Sequence, residues 1–148
     1  MNKKGFTLTE LLIVLAIITI LAMVSVPAYV GQQRSAARSE AFSNLQNLRL
    51  LEEQFFAENS RYTVNLGTCA ADNPGNVNTI QTGGGDATNA LPGFRPGTGT
   101  SFSYCIESNI DLTGGAQTPC FRASAFGNTG SRVAGDTFRI DCNNNRNF

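Results

Sequence analysis

From Leu11 to Val30 the chain runs for twenty residues without a charge, broken only by Thr19, Ser25 and Pro27, and an acid, Glu10, stands directly before the run. Twenty apolar residues are about what an α-helix needs to cross a bilayer. An ionised carboxylate at the bilayer centre costs roughly 2.5–3.5 kcal/mol even on the mildest scale, so Glu10 needs a compensating partner. Lys3 and Lys4 precede the run, and the positive-inside bias keeps the extreme N-terminus cytoplasmic and sends everything after Val30 outside. A secretory signal peptide cut near Val26-Pro27-Ala28 is the competing reading. An acid at the start of the apolar core argues against it.

Composition narrows the function. Lysine plus arginine and aspartate plus glutamate each total 11, so no net field draws the chain to nucleic acid or to an acidic surface. With no histidine the chain lacks the usual general base near neutral pH and the commonest zinc and copper ligand. An enzyme is disfavoured, and no cofactor is expected. Cys69, Cys105, Cys120 and Cys142 form no C-x-x-C pair, so no zinc knuckle, thioredoxin-like site or c-type haem is signalled. Even-numbered, scattered cysteines behind an export segment read as two disulfides made in an oxidising compartment.

The stretch Lys4-Gly5-Phe6-Thr7-Leu8-Thr9-Glu10-Leu11-Leu12-Ile13-Val14 resembles the class III signal of type IV prepilins and of the related type II secretion pseudopilins. Thr9 stands where that motif usually has Ile or Val, while Gly5, Phe6 and Glu10 match it. Pro27 falls where many pilins carry a proline late in the first helix. The resemblance implies cleavage by a prepilin peptidase between Gly5 and Phe6, N-methylation of Phe6, and a role for Glu10 in complementing the new amine within or between neighbouring subunits. The physics is compatible, since a buried carboxylate is tolerable beside a cation. The plainer role for Glu10 is a helix-start acid favoured by the helix dipole.

After Pro27 the pattern becomes amphipathic: Ala37, Ala41, Leu45, Leu48, Leu51 and Phe55 recur at spacings of three and four. The periodicity predicts a helix from Phe6 to about Glu58, roughly 80 Å at 1.5 Å per residue, with a kink or local melting at residues 27–31. Its apolar half belongs in lipid or against copies of itself. Residues 61–100, with Asn73-Pro74-Gly75, Gly83-Gly84-Gly85 and Pro96-Gly97-Thr98-Gly99, read as one long loop.

Alternation of apolar and polar residues predicts strands over 101–107, 120–126 and 137–142. One apolar face covering the helix gives an α+β head, a long helix packed on a small antiparallel sheet, which the family resemblance implies as well. Three disulfide pairings are possible. The favoured one joins Cys120 to Cys142, pinning the C-terminal region, and Cys69 to Cys105, tying the long loop to the first strand. Asp141 to Asn145 offers oxygen atoms to calcium but lacks the spacing and distal Glu of an EF-hand loop, so no metal is expected. Arg122, Arg132, Arg139 and Arg146 are a local basic excess that would touch DNA phosphates if the chain served uptake, although solvated strand charges explain them more simply.

The sequence therefore reads as a leader over residues 1–5, a transmembrane and assembly helix over 6–30, and a head over 31–148. The leading expectation is a structural type IV pilin: an inner-membrane precursor that polymerises with copies of itself into an extracellular filament, with the pilus assembly machinery as a further partner. A type II secretion pseudopilin is the first alternative. An anchored or secreted binding or hydrolytic domain is the second.

Overall fold

The computed structural model describes residues 5–97 and 99–148. Lys3 and Lys4, on which the orientation argument rests, and Thr98 of the last turn marker lie outside them. Two compact units are present, one ending at Ser35 and one beginning at Ala36. Helix α1, Leu8–Asn59, contributes residues to both.

In the first unit α1 is long and apolar enough to span a membrane. Its apolar side chains are uncovered: Leu12, Ile13, Ile17, Ile18 and Val24 are all more than half exposed. Pro27 sits inside the helix, which continues unbroken through residues 27–31, so the expected melting is not found. Proline removes one N–H from the ladder, and in a helix surrounded by its own neighbouring turns that single lost bond does not end it. Thr19 Oγ1 bonds back to the carbonyl of Leu15 at 2.7 Å, the usual way a hydroxyl is satisfied in an apolar helix.

In the second unit Ala41, Leu45, Leu48 and Phe55 are buried on one stripe of α1, with Ala37 and Leu51 partly so. The stripe stops where Ser60 turns left-handed (φ 55°) and its N–H caps the Phe56 carbonyl at 2.7 Å. Opposite it lies a three-stranded antiparallel sheet in the order β1, Phe102–Ile110; β2, Ala116–Gly127; and β3, Thr137–Asp141. Alternation puts Phe102, Tyr104 and Ile106 with Phe121, Ala123, Ala125 and Ile140 in the core under the helix. This is the expected α+β head.

The hairpin strands run further than alternation suggests. Tyr104 pairs with Ala125 and Ile110 with Ala116, with a register shift after Ser108, where Asn109 adopts φ 58°. Asp111 closes the turn by accepting from Thr113 N, Thr113 Oγ1 and Gly115 N, each at 2.8 Å. Those residues face water, so the ladder continues there without an apolar signature. The long-loop expectation is corrected as well. Residues 76–82 form a short helix, α2 (Asn76–Thr82), ended by left-handed Gly83, and Ala87–Asn89 make a single 3-10 turn capped by Asp86. Ile80, Leu91 and Phe94 from this excursion are fully or nearly fully buried. A helix this short, with a single buried apolar side chain, gives no period to read.

Both sheet edges are dressed. On β1, Leu66 bridges Ile106 with two 2.8 Å bonds, and Ser108 N donates to Asn65 Oδ1. On β3, Arg139 N donates to Asn147 Oδ1 at 2.7 Å, Asn147 Nδ2 donates to Thr137 O at 3.1 Å, and Asp141 N donates to Asn145 O. Cys69 is joined to Cys105 and Cys120 to Cys142.

Candidate functional site

Gly5 to Thr7 precede the helix, and Phe6 is fully accessible at 83% exposure. A Cβ added to Gly5 would meet nothing within 4 Å.

Thr7 and Glu10 form a capping box. Thr7 N donates to Glu10 Oε2 at 2.9 Å, Thr7 Oγ1 donates to the same oxygen at 2.7 Å, and Glu10 N approaches Thr7 Oγ1 at 3.3 Å. Thr7 is therefore a site residue that sequence reasoning passed over, although Thr-x-x-Glu before an apolar run is its signature. The box does two things: it satisfies free N–H groups at the helix start, and it turns the Glu10 carboxylate back onto Thr7, the residue after Phe6. Among the described residues Glu10 has no cation.

The four cysteines are brought together in pairs around the sheet and none is free. Cys105 and Cys120 are buried. Sulfur atoms of Cys69 and Cys105 lie near the Glu107 carboxylate in a metal-like cluster. Both thiols are spent in a disulfide, however, and Glu107 Oε2 takes both Nε and Nη2 of Arg122, at 3.0 and 2.7 Å. Asp141 is no better a ligand. Its carboxylate is buried and accepts from Leu112 N, Asn143 N, Asn145 N and Asn145 Nδ2. Four N–H donors leave no face for calcium.

The four arginines do not form one basic surface. Arg122 is tied to Glu107, Arg139 is half-buried on β3, Arg146 lies over the Phe148 ring at 5.8 Å, and Arg132 stands exposed in the connection before β3.

Sequence reasoning also missed Glu52. It lies on the apolar stripe, four residues after Leu48 and three before Phe55, and is fully buried. Its oxygens accept from Thr63 N at 3.1 Å and from Thr63 Oγ1. Burial pushes the carboxyl up to about 6 against the pull of those Thr63 bonds. A polar residue at a stripe position was the signal.

Comparison with known proteins bears on the N-terminal end first. Residues 1–26 match the family described as prokaryotic N-terminal methylation motif. The chain is 28% identical over 145 residues to the "Type IV major pilin protein PilA" of Myxococcus xanthus, covering 96% of this chain and 53% of that one. It is 41% identical over 64 residues to the "Type IV wide pilus major component PilA4" of Thermus thermophilus, 43% of this chain and 49% of that one. The "Type II secretion system core protein G" of Pectobacterium carotovorum is 33% identical over 61 residues, 41% of this chain and 39% of that one. The chain thus spans about half the length, or less, of these relatives. No solved structure gives a significant match. The chain carries a prepilin N-terminal motif, and its homologues are type IV major pilins and type II secretion core proteins.

Proposed function

We propose that this chain is a structural subunit of a type IV pilus. In this reading it is made as an inner-membrane precursor with its N-terminus in the cytoplasm, and a prepilin peptidase removes residues 1–5. Phe6 is then N-methylated, residues 6–30 assemble with copies of themselves, and residues 31–148 carry the head. The observation that carries the reading is the capping box at the open end of an uncovered apolar helix.

Cutting the Gly5–Phe6 bond converts the Phe6 nitrogen from an amide into an ammonium. Thr7, the next residue, already holds the Glu10 carboxylate. A paired carboxylate and ammonium are far cheaper in lipid or in a helix bundle than either charge alone. Transfer of the helix from lipid to other helices then proceeds at little hydrophobic cost. The open space around Gly5 fits a glycine demanded by the cleft of a processing enzyme. This role requires no catalytic step of the chain, which has no histidine to act as base.

A type II secretion pseudopilin would use the same N-terminal chemistry to build a short periplasmic rod. The pilus is favoured because the similarity to the Myxococcus pilin runs through the head, whereas that to the core protein G covers 61 residues. Mass and N-terminal sequencing of mature protein from cells test the proposal, with a methylated phenylalanine expected first. A mature start at Tyr29, or an uncut Met1, overturns it. Filaments on intact cells are the expected companion result, and processed protein confined to the periplasm would transfer the assignment to the pseudopilin.

A further inference from the structure

Glu52 is an unusual group to find on the buried face of a helix. It is fully buried, it has no ion pair, and its only hydrogen-bond partner among the described residues is Thr63, through both backbone N–H and hydroxyl. Thr63 lies just past the end of α1, in the turn that reverses the chain from helix to the 61–100 excursion.

The same turn is held from its other side by Tyr62, whose ring packs on Phe56 at 4.6 Å and Phe121 at 4.9 Å and whose hydroxyl reaches Glu53 Oε1 at 3.4 Å. The charged groups around Glu52 do not neutralise it. Glu53, next on α1, opposes its ionisation, and Arg61 favours it only at a distance. The Arg61 guanidinium lies over the Phe55 ring and donates to Thr88 O at 2.9 Å. Arg49, one turn earlier on α1, makes no ion pair with Glu52. A lone buried carboxylate is stable when protonated and costly when charged.

We propose that Glu52 and Thr63 are a proton-operated latch, which clamps the 60–64 turn onto the end of α1 when the carboxyl is protonated and loosens it when the carboxyl ionises. The chain's composition isolates this device. It has no histidine, its four cysteines are all in disulfides, and its two lysines are Lys3 and Lys4. The side chains that ordinarily titrate near neutrality are thus missing from the head, and the raised carboxyl of Glu52, at about 6, takes their place. The latch does not depend on the filament reading. It belongs to the head alone.

The sign follows from linkage. A carboxyl at about 6 in the folded state and 4.5 when released favours the closed turn fully below pH 4.5, and that advantage is lost as pH rises through 6. The displacement corresponds to about a thirtyfold change in the opening equilibrium. The test is hydrogen exchange at the Thr63 amide of the full-length chain in detergent micelles from pH 4.5 to 8, corrected for the intrinsic pH dependence of exchange.

Tenfold or greater loss of Thr63 protection across that range is expected in the native chain, with no such pH dependence in Glu52→Gln, whose amide can accept from Thr63 N and donate to the hydroxyl. Flat protection in the native chain, or an unchanged pH dependence in Glu52→Gln, overturns the latch. Carboxyl-labelled glutamate NMR of the native chain tests the same titration without a variant: one carboxyl titrating near pH 6 is expected, and a set that all titrate below pH 5 would refute the latch.

Discussion

Gly127 closes β2, and replacing it with alanine should damage the head through backbone alone. Its backbone does not adopt a left-handed conformation, so the requirement is space: a Cβ there would lie 1.9 Å from Val133 O and 2.8 Å from Val133 C. Relief needs the Val133 peptide to retreat by about 1 Å, on a van der Waals argument. That peptide is anchored. Val133 is buried, Asp136 N donates to Val133 O at 3.0 Å, and Gly127 N donates to Asp136 O at 2.9 Å.

Losing those two bonds costs about 1 kcal/mol each, and pulling Val133 part-way from the core about another 1 kcal/mol. Gly127→Ala should therefore destabilise the head by about 3 kcal/mol, within the range for overpacked cores. The displaced loop carries Asp136, so the Arg38 Nε–Asp136 Oδ2 pair, 2.8 Å in the native chain, should loosen too. Urea unfolding of the full-length chain in detergent, followed by near-UV tyrosine circular dichroism because there is no tryptophan, measures the loss. Gly75→Ala is the control, because Gly75 has φ −69° and nothing within 4 Å of an added Cβ; it should stay within about 0.5 kcal/mol of native. If Gly127→Ala does as well as the control, the packing argument is wrong.

Other expectations follow from single groups. Glu10→Ala should leave membrane insertion intact and cut pilus yield at least about tenfold, the effect of leaving the ammonium unpaired in lipid; native yield on sheared-cell immunoblots would refute the pairing. Gly5→Arg should leave an unprocessed precursor, read as a mass increase over the mature chain. Tyr104, held by burial at about 12 although Asn44 Nδ2 donates to its oxygen at 2.9 Å, contributes stability that is whole below pH 10 and lost as pH rises through 12. Tyr104→Phe should flatten alkaline unfolding between those values, and an unchanged alkaline midpoint would contradict this. Asn147→Ala removes two bonds from the β3 edge and should cost about 1 kcal/mol, with faster thioflavin-positive aggregation as the more telling readout.

Legibility followed physical redundancy. The helix was legible because Ala41, Leu45, Leu48 and Phe55 repeat one spacing over successive turns, and the strands were legible where Tyr104, Ile106, Phe121 and Ala123 alternate with polar neighbours. Past Glu107 and before Cys120 the ladder lies in water, and composition says nothing about it. Helix α2 was hidden because it is only seven residues long and just Val77 and Ile80, one turn apart, mark its inner side, too few to show a period. At the N-terminal end the motif pointed to Gly5, Phe6 and Glu10, whereas the role of Thr7 lies in hydrogen bonds to Glu10 that a charge-based reading does not register. Glu52 escaped for the opposite reason: charged residues on a helix are ordinarily assigned to the wet side, and only its place between Leu48 and Phe55 marked it as an exception.

The asparagine cover on the β-sheet has a consequence for crowding. In the proposed fibre, identical heads stand side by side at a local concentration far beyond that of any free protein, conditions under which bare strands recruit one another into cross-β stacks. Asn65 on one flank and Asn145 and Asn147 on the other occupy backbone groups that a neighbouring ribbon would need. In such a fibre, growth would be steered away from the sheets and left to the rods.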